Sequence, residues 1–234
     1  MKRTFPLLSL GLAALLAACA TAPAPSAPAA QAPRVPEQVS NAQWEQDMRQ
    51  FEAADAQSPP PRGAVLFIGS SSIRMWDTLA QDFPGVPVIN RGFGGSELRD
   101  STWYADRIIV PYAPRQIVLY AGDNDLSAGR TPQQLHEDFR AFVQRVRRDL
   151  PRTRIAYIST KPSPSRAQLL AVQREANALV QAEAKRLGVD YIDVFTPMLD
   201  AQGQPDASLF IGDRLHMNAA GYALWRRLVA PYLR

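Results

Sequence analysis

The chain has 234 residues, and its 26 Lys and Arg stand against 22 Asp and Glu, a formal net charge of +4. A balance this mild does not suggest a dedicated nucleic-acid surface. Hydrophobic residues at 46% and aromatic residues at 9% exclude disorder of the whole chain and supply a core for one domain of roughly 150 to 200 residues with extensions. Cys19 is the one cysteine, so no intrachain disulfide can form and a cysteine-rich zinc site is excluded. The two histidines, His136 and His216, fall in no HxxH or HExxH spacing, so a dedicated transition-metal site is not expected, and no other cofactor is expected.

In chain order, the first residues read as an address followed by a tether. Residues 1–18 have the pattern of a secretory signal peptide, with Lys2 and Arg3 ahead of an apolar run from Leu7 to Ala18. That run is too short to cross a bilayer as a helix, which takes about 20 residues. It ends in Leu16-Ala17-Ala18-Cys19, which resembles the bacterial lipobox; an ordinary signal peptide with an incidental cysteine is the alternative. The resemblance implies that Cys19 is lipidated and holds the protein on a membrane. Ala20 rather than Asp after it implies a Gram-negative outer-membrane address facing the periplasm. Residues 19–39 then form a linker rich in Ala and Pro, with prolines at 23, 25, 28, 33 and 36. Such a composition cannot bury a core, and the extended spacer would reach roughly 50 Å at about 3 Å per residue.

The domain is expected over residues 40–234, beginning with a short helix. Ser40 is placed to cap it, and Trp44, Met48 and Phe51 share one face, until Pro59-Pro60-Pro61 stops it. Beyond lie five short, apolar, largely β-branched runs: Ala64 to Ile68, Val86 to Asn90, Gln116 to Tyr120, Ile155 to Ser159 and Val189 to Val194. Their near-continuous apolar character suits strands buried on both faces of a parallel sheet. Helical stripes alternate with them. Leu135, Phe139, Phe142, Val143, Val146 and Leu150 follow Thr131-Pro132, a cap with proline at the first helical position. Leu169, Val172, Ala176, Leu179, Val180 and Leu187 form the next stripe, ended by Gly188. Tyr222, Trp225, Leu228, Val229 and Tyr232 form the last, capped by Asn218. This alternation specifies an α/β, doubly wound, three-layer domain with a five-stranded parallel sheet and helices on both faces. Ligands of such sheets bind beyond the carboxyl ends of the strands.

Polar groups follow each strand there. After the first comes Gly69-Ser70-Ser71-Ser72, then a short helix with Met75, Trp76 and Leu79. A serine at a strand-to-helix turn suits a nucleophile, and equally a helix cap. After the second, Asn90-Arg91-Gly92-Phe93-Gly94-Gly95-Ser96 has the glycines that let backbone N–H groups approach an oxyanion, or that make a plain loop; it does not match GxGxxG. After the third, Gly122-Asp123-Asn124-Asp125 offers an amide donor between two acids, or a turn. After the fourth, Lys161 and Arg166 flank a Pro/Ser-rich loop as solvated charges or as contacts to an anionic headgroup. Near the end, Asp213-Arg214-Leu215-His216 lets a carboxylate accept from an imidazole three residues on. His136 lies beside an apolar stripe facing largely outward, which leaves His216 as the candidate base.

Taken jointly, the blocks FIGSSSIRMW (Phe67 to Trp76), NRGFGG (Asn90 to Gly95), GDND (Gly122 to Asp125) and DRLH (Asp213 to His216) resemble the SGNH/GDSL hydrolase superfamily, in particular its platelet-activating-factor-acetylhydrolase-like esterases. The resemblance spans about residues 63 to 234 and implies a flavodoxin-like fold. It also implies that Ser71 is the nucleophile, that His216 is the general base and Asp213 its orienting partner. The oxyanion hole would comprise the N–H of Ser71, the N–H of Gly95 and the amide of Asn124. One position departs: Ser70 stands where many members have Asp. The implied activity is serine ester hydrolysis through an acyl-enzyme, on small-molecule, glycan or lipid esters with short acyl groups. The competing reading is a non-catalytic envelope lipoprotein or binding module that retains the fold.

Overall fold

The computed structural model describes Met1 and residues 42–233; the expected signal, Cys19, the spacer and the Ser40 cap lie outside the described residues. The elements in order are α1 (Ala42–Gln57), β1 (Val65–Gly69), α2 (Ser71–Arg74), α3 (Leu79–Asp82), β2 (Val88–Gly92), α4 (Leu98–Trp103), α5 (Ala105–Ile108), β3 (Gln116–Tyr120), α6 (Asp123–Ser127), α7 (Pro132–Asp149), β4 (Arg154–Ile158), α8 (Leu170–Leu187), β5 (Asp190–Ile192) and α9 (Ala219–Val229). The five strands are all parallel, in the order β2-β1-β3-β4-β5. This is the doubly wound α/β arrangement expected, and its strand order reverses between β1 and β3.

Alternate residues of each central strand serve opposite faces, and both faces are apolar. Leu66, Ile68, Ile117, Leu119, Ile155 and Tyr157 pack with Phe139, Phe142 and Val180 from α7 and α8, and with Met48 from α1. Val65, Phe67, Val118, Tyr120, Ala156 and Ile158 pack on the other side with Trp76, Trp225 and Val229. Among the described residues no helix is long and apolar enough to cross a membrane.

Local chemistry explains the helix ends. Thr131 and Gln134 form a capping box ahead of α7, with Pro132 in the first turn. Gly188 ends α8 at φ 62°, and Asn218 Oδ1 accepts the N–H groups of Ala220 and Gly221 at the start of α9. β3 has the limits expected from the sequence, and the other strands differ from that expectation by one or two residues at each end. β2 starts after Pro87, which has no N–H to offer a ladder. β5 stops at Ile192 because the N–H groups of Val194 and Phe195 turn to Ser159 Oγ, at 3.0 and 3.1 Å. The single helix expected over Met75 to Leu79 is instead two, α2 and α3, with Trp76 between them donating to Asp82 Oδ2 at 2.7 Å.

Candidate active site

The site is built where β1 and β3 part. Gly69, the last residue of β1, has φ 132°, and a Cβ there would lie 1.8 Å from Tyr120 O. Only glycine fits so close an approach. The N–H of Ser70 then bonds Tyr120 O at 3.0 Å, which fixes the turn that starts α2. Of the three consecutive serines, Ser70 and Ser72 are buried, and Ser71 faces a cavity of about 450 Å³. Ser70 holds the N-cap position, yet its side chain does not cap.

His216 comes to Ser71 across 145 positions of sequence, its Nε2 3.0 Å from Ser71 Oγ. Its Nδ1 is 2.6 Å from Asp213 Oδ2. Asp213 Oδ1 in turn accepts the backbone N–H groups of Leu215 and His216, both at 2.9 Å. This tight loop holds Arg214 at φ 59°, a left-handed conformation uncommon for a residue with a side chain. Burial alone would push the Asp213 carboxyl up. The backbone and ring N–H groups of His216 and the N–H of Leu215 outweigh it and bring the group down to about 2.

Two further loops complete the cavity. Gly95, at φ 79°, lines it beside Gly94, and Asn124, in the first turn of α6, faces them. Ser96 is buried, and its hydroxyl donates to Phe93 O at 2.9 Å, which pins the glycine turn. Asn124 Nδ2 reaches Ser96 O at 3.0 Å, so the second and third loops are joined directly. The backbone N–H groups of Ser71 and Gly95 have no acceptor among the described residues. The structure thus brings together Ser71, His216, Asp213, Gly95 and Asn124. A hydroxyl with a base behind it and free donors nearby can attack a carbonyl and hold the resulting negative charge.

The family model for GDSL-like lipase/acylhydrolase matches residues 68–224. The chain belongs to the GDSL-like lipase/acylhydrolase family. It is accordingly an esterase of the GDSL type. Solved structures share the fold of this GDSL-like hydrolase. A Streptococcus pneumonia protein named for platelet activating factor superposes with a TM-score of 0.72 at 24% identity, over 82% of this chain and 93% of that one. A GDSL-like lipase from Bacteroides thetaiotaomicron gives 0.68 at 16% identity, over 80% and 96%. A mutant of an acetyl-xylooligosaccharide esterase from Geobacillus Stearmophilus gives 0.61 at 14% identity, over 74% and 95%. No curated protein matches the chain.

Three side chains of this GDSL-like hydrolase stand where sequence reasoning did not put them. Lys161 and Arg166 are not solvated loop charges. Lys161 is 1% exposed and bonds Asp123 Oδ2 at 3.3 Å, and Arg166 lies 3.0 Å from the same oxygen while lining the cavity. Burial would raise the Asp123 carboxyl, but the charges of these two cations hold it below its usual value. His136 is half-buried against Glu183, with Nε2 3.5 Å from Oε2, rather than facing outward. Trp44 and Asp47 of α1 and Arg74 of α2 also line the cavity and were missed. Arg74 was within reach of the sequence, since it lies three residues beyond Ser71 and so shares its helical face. Trp44 is placed by a contact no local pattern carries, its indole N–H donating to Gly94 O at 3.2 Å.

The Asp213 carboxyl should titrate with a midpoint at about 2 in a side-chain NMR titration. Removing the ring in His216→Ala should move that midpoint up toward the ordinary carboxylate range. A midpoint that stays put would contradict the pairing.

Proposed function

We propose that the protein hydrolyses short-acyl esters of polar alcohols through an acyl-enzyme on Ser71. The observation that carries this reading is the unbroken line from Asp213 through His216 to Ser71, at 2.6 and 3.0 Å, opening on a cavity with two unengaged backbone N–H groups. In the first half-reaction His216 Nε2 takes the Ser71 proton as Oγ bonds to the acyl carbon. The carbonyl oxygen gathers negative charge and is met by the N–H groups of Ser71 and Gly95 and the amide of Asn124. Asp213 steadies the imidazolium. The tetrahedral centre then expels the alcohol, which leaves with the proton from His216. Water repeats the sequence on the acyl-enzyme, His216 taking its proton, and releases the acid and free Ser71.

The cavity walls support the substrate class. Asp47, Arg74 and Arg166 bring charge to the walls beside Trp44 and Leu215. A long alkyl chain laid against those charges would strip their water without replacing it. Hydroxyls of a sugar or a lipid headgroup would replace it. On p-nitrophenyl esters of increasing chain length, kcat/KM should be highest for acetyl or propionyl and fall by about 10-fold or more by octanoyl. Ser71→Ala provides the inactive baseline. A preference for octanoyl would contradict the short-acyl reading.

The lipobox-like segment around Cys19 supports a lipid anchor that holds the domain at the bacterial cell envelope, on the periplasmic side of the outer membrane. Radiolabelled palmitate should enter the full-length chain in its native host and be lost in Cys19→Ser. Equal labelling of the variant would contradict the anchor.

A further inference from the structure

We propose that Arg166 is a positioning residue that holds the Asn124 carboxamide in the one orientation that presents an N–H to the oxyanion. The proposal rests on the reading of Asn124 as an oxyanion donor. A carboxamide has two ends of nearly the same shape, one accepting and one donating twice, so its partners alone decide which end points where. Both partners of Asn124 are of a single kind. A guanidinium can only donate, and Arg166 Nη2 stands 3.0 Å from Asn124 Oδ1. A backbone carbonyl can only accept, and Ser96 O stands 3.0 Å from Asn124 Nδ2. With one Nδ2 hydrogen engaged by Ser96, the other is left for the cavity that Asn124 lines. Turning the amide over would set donor against donor and acceptor against acceptor at both contacts.

Arg166 is itself held from behind. Its Nη1 lies 3.0 Å from Asp123 Oδ2, and the same oxygen takes Lys161 Nζ at 3.3 Å. Side-chain exposure is 1% for Lys161, 5% for Asp123 and 15% for Arg166, so water has little access to replace any of these contacts. The planar fork of a guanidinium spans acceptors on the consecutive residues Asp123 and Asn124, which a lysine, with a single nitrogen, cannot do in the same way. Two cations around one carboxylate also leave net positive charge behind the oxyanion hole, the sign that favours charge developing there.

Because Arg166 lines the cavity, direct contact with substrate is the rival role, and a double-mutant cycle separates the two. The assay uses a neutral acetyl ester, with kcat and KM measured for Arg166→Met, Arg166→Lys, Asn124→Ala and the double variants. Asn124→Ala alone should lower kcat by about 100- to 1,000-fold. Arg166→Met should lower kcat by about 10- to 100-fold with KM changed less than about 2-fold, and Arg166→Lys should recover only part of the loss. In the Asn124→Ala background, Arg166→Met should cost less than about 2-fold, because nothing remains for it to orient. An undiminished loss in that background, or a raised KM at constant kcat, would overturn the proposal. So would wild-type kcat in Arg166→Met while Asn124→Ala is impaired. Wild-type kcat in Asn124→Ala would instead overturn the oxyanion reading beneath it. Should Arg166→Met fail to fold, Arg166→Lys keeps a cation against Asp123 and runs the same cycle.

Discussion

β1 is hydrogen-bonded on both sides, and its register sets the level at which the chemistry takes place. Gly69 stands opposite Gly92 on one side and Tyr120 on the other, so three loops leave the sheet at one height. Ser71, Gly95 and Asn124 then follow their strands by two, three and four residues. A one-residue slip of β1 would exchange the residues it presents to the two cores and carry Ser71 about 3.3 Å along the strand, beyond the reach of His216. The absence of a Cβ at Gly69 is what permits this register, because any side chain there meets the backbone of β3. Sheet stability and site geometry therefore rest on the same contact.

The remaining half of the site arrives from the far end of the chain, and electrostatics divides its acids by environment. Asp213 has a side chain 43% exposed, yet three N–H donors converge on it and it stays ionised down to strongly acidic pH. Asp125, two residues past Asp123 in the same short helix, is fully buried with one oxygen on the Leu98 N–H, and burial pushes its carboxyl up to about 8. By accepting the Leu98 N–H, Asp125 ties the third loop to α4. Asp123 is also buried, but the two cations beside it keep it ionised. The three aspartates thus differ in what they hold: Asp213 the His216 ring, Asp125 the start of α4, and Asp123 the Arg166 guanidinium.

Much of this was legible in the sequence, for reasons that also mark its limit. The central strands could be read because both of their faces are buried, which leaves long apolar runs such as Val65 to Ile68 and Gln116 to Tyr120 with no polar alternation to confuse them. The blocks that carry Ser71, Gly95, Asn124 and His216 could be read because each follows a strand or opens a helix with recognisable turn chemistry. Lys161 could not, since its burial depends on an aspartate 38 positions away. The roles of Trp44 and Asp47 were equally hidden, because helical spacing shows that α1 has an apolar face without showing what it packs on. Helices α4 and α5 have six and four residues, too few for any periodicity to register.

The most direct test of the central claim, that the hydroxyl at position 71 is activated by His216, is covalent capture with a fluorophosphonate probe followed by peptide mass spectrometry. The account predicts one adduct, on Ser71, formed rapidly by the folded protein, slowed by orders of magnitude in His216→Ala, and absent in Ser71→Ala. Labelling that lands on Ser70 or Ser72, or that proceeds equally fast without the imidazole, would contradict it.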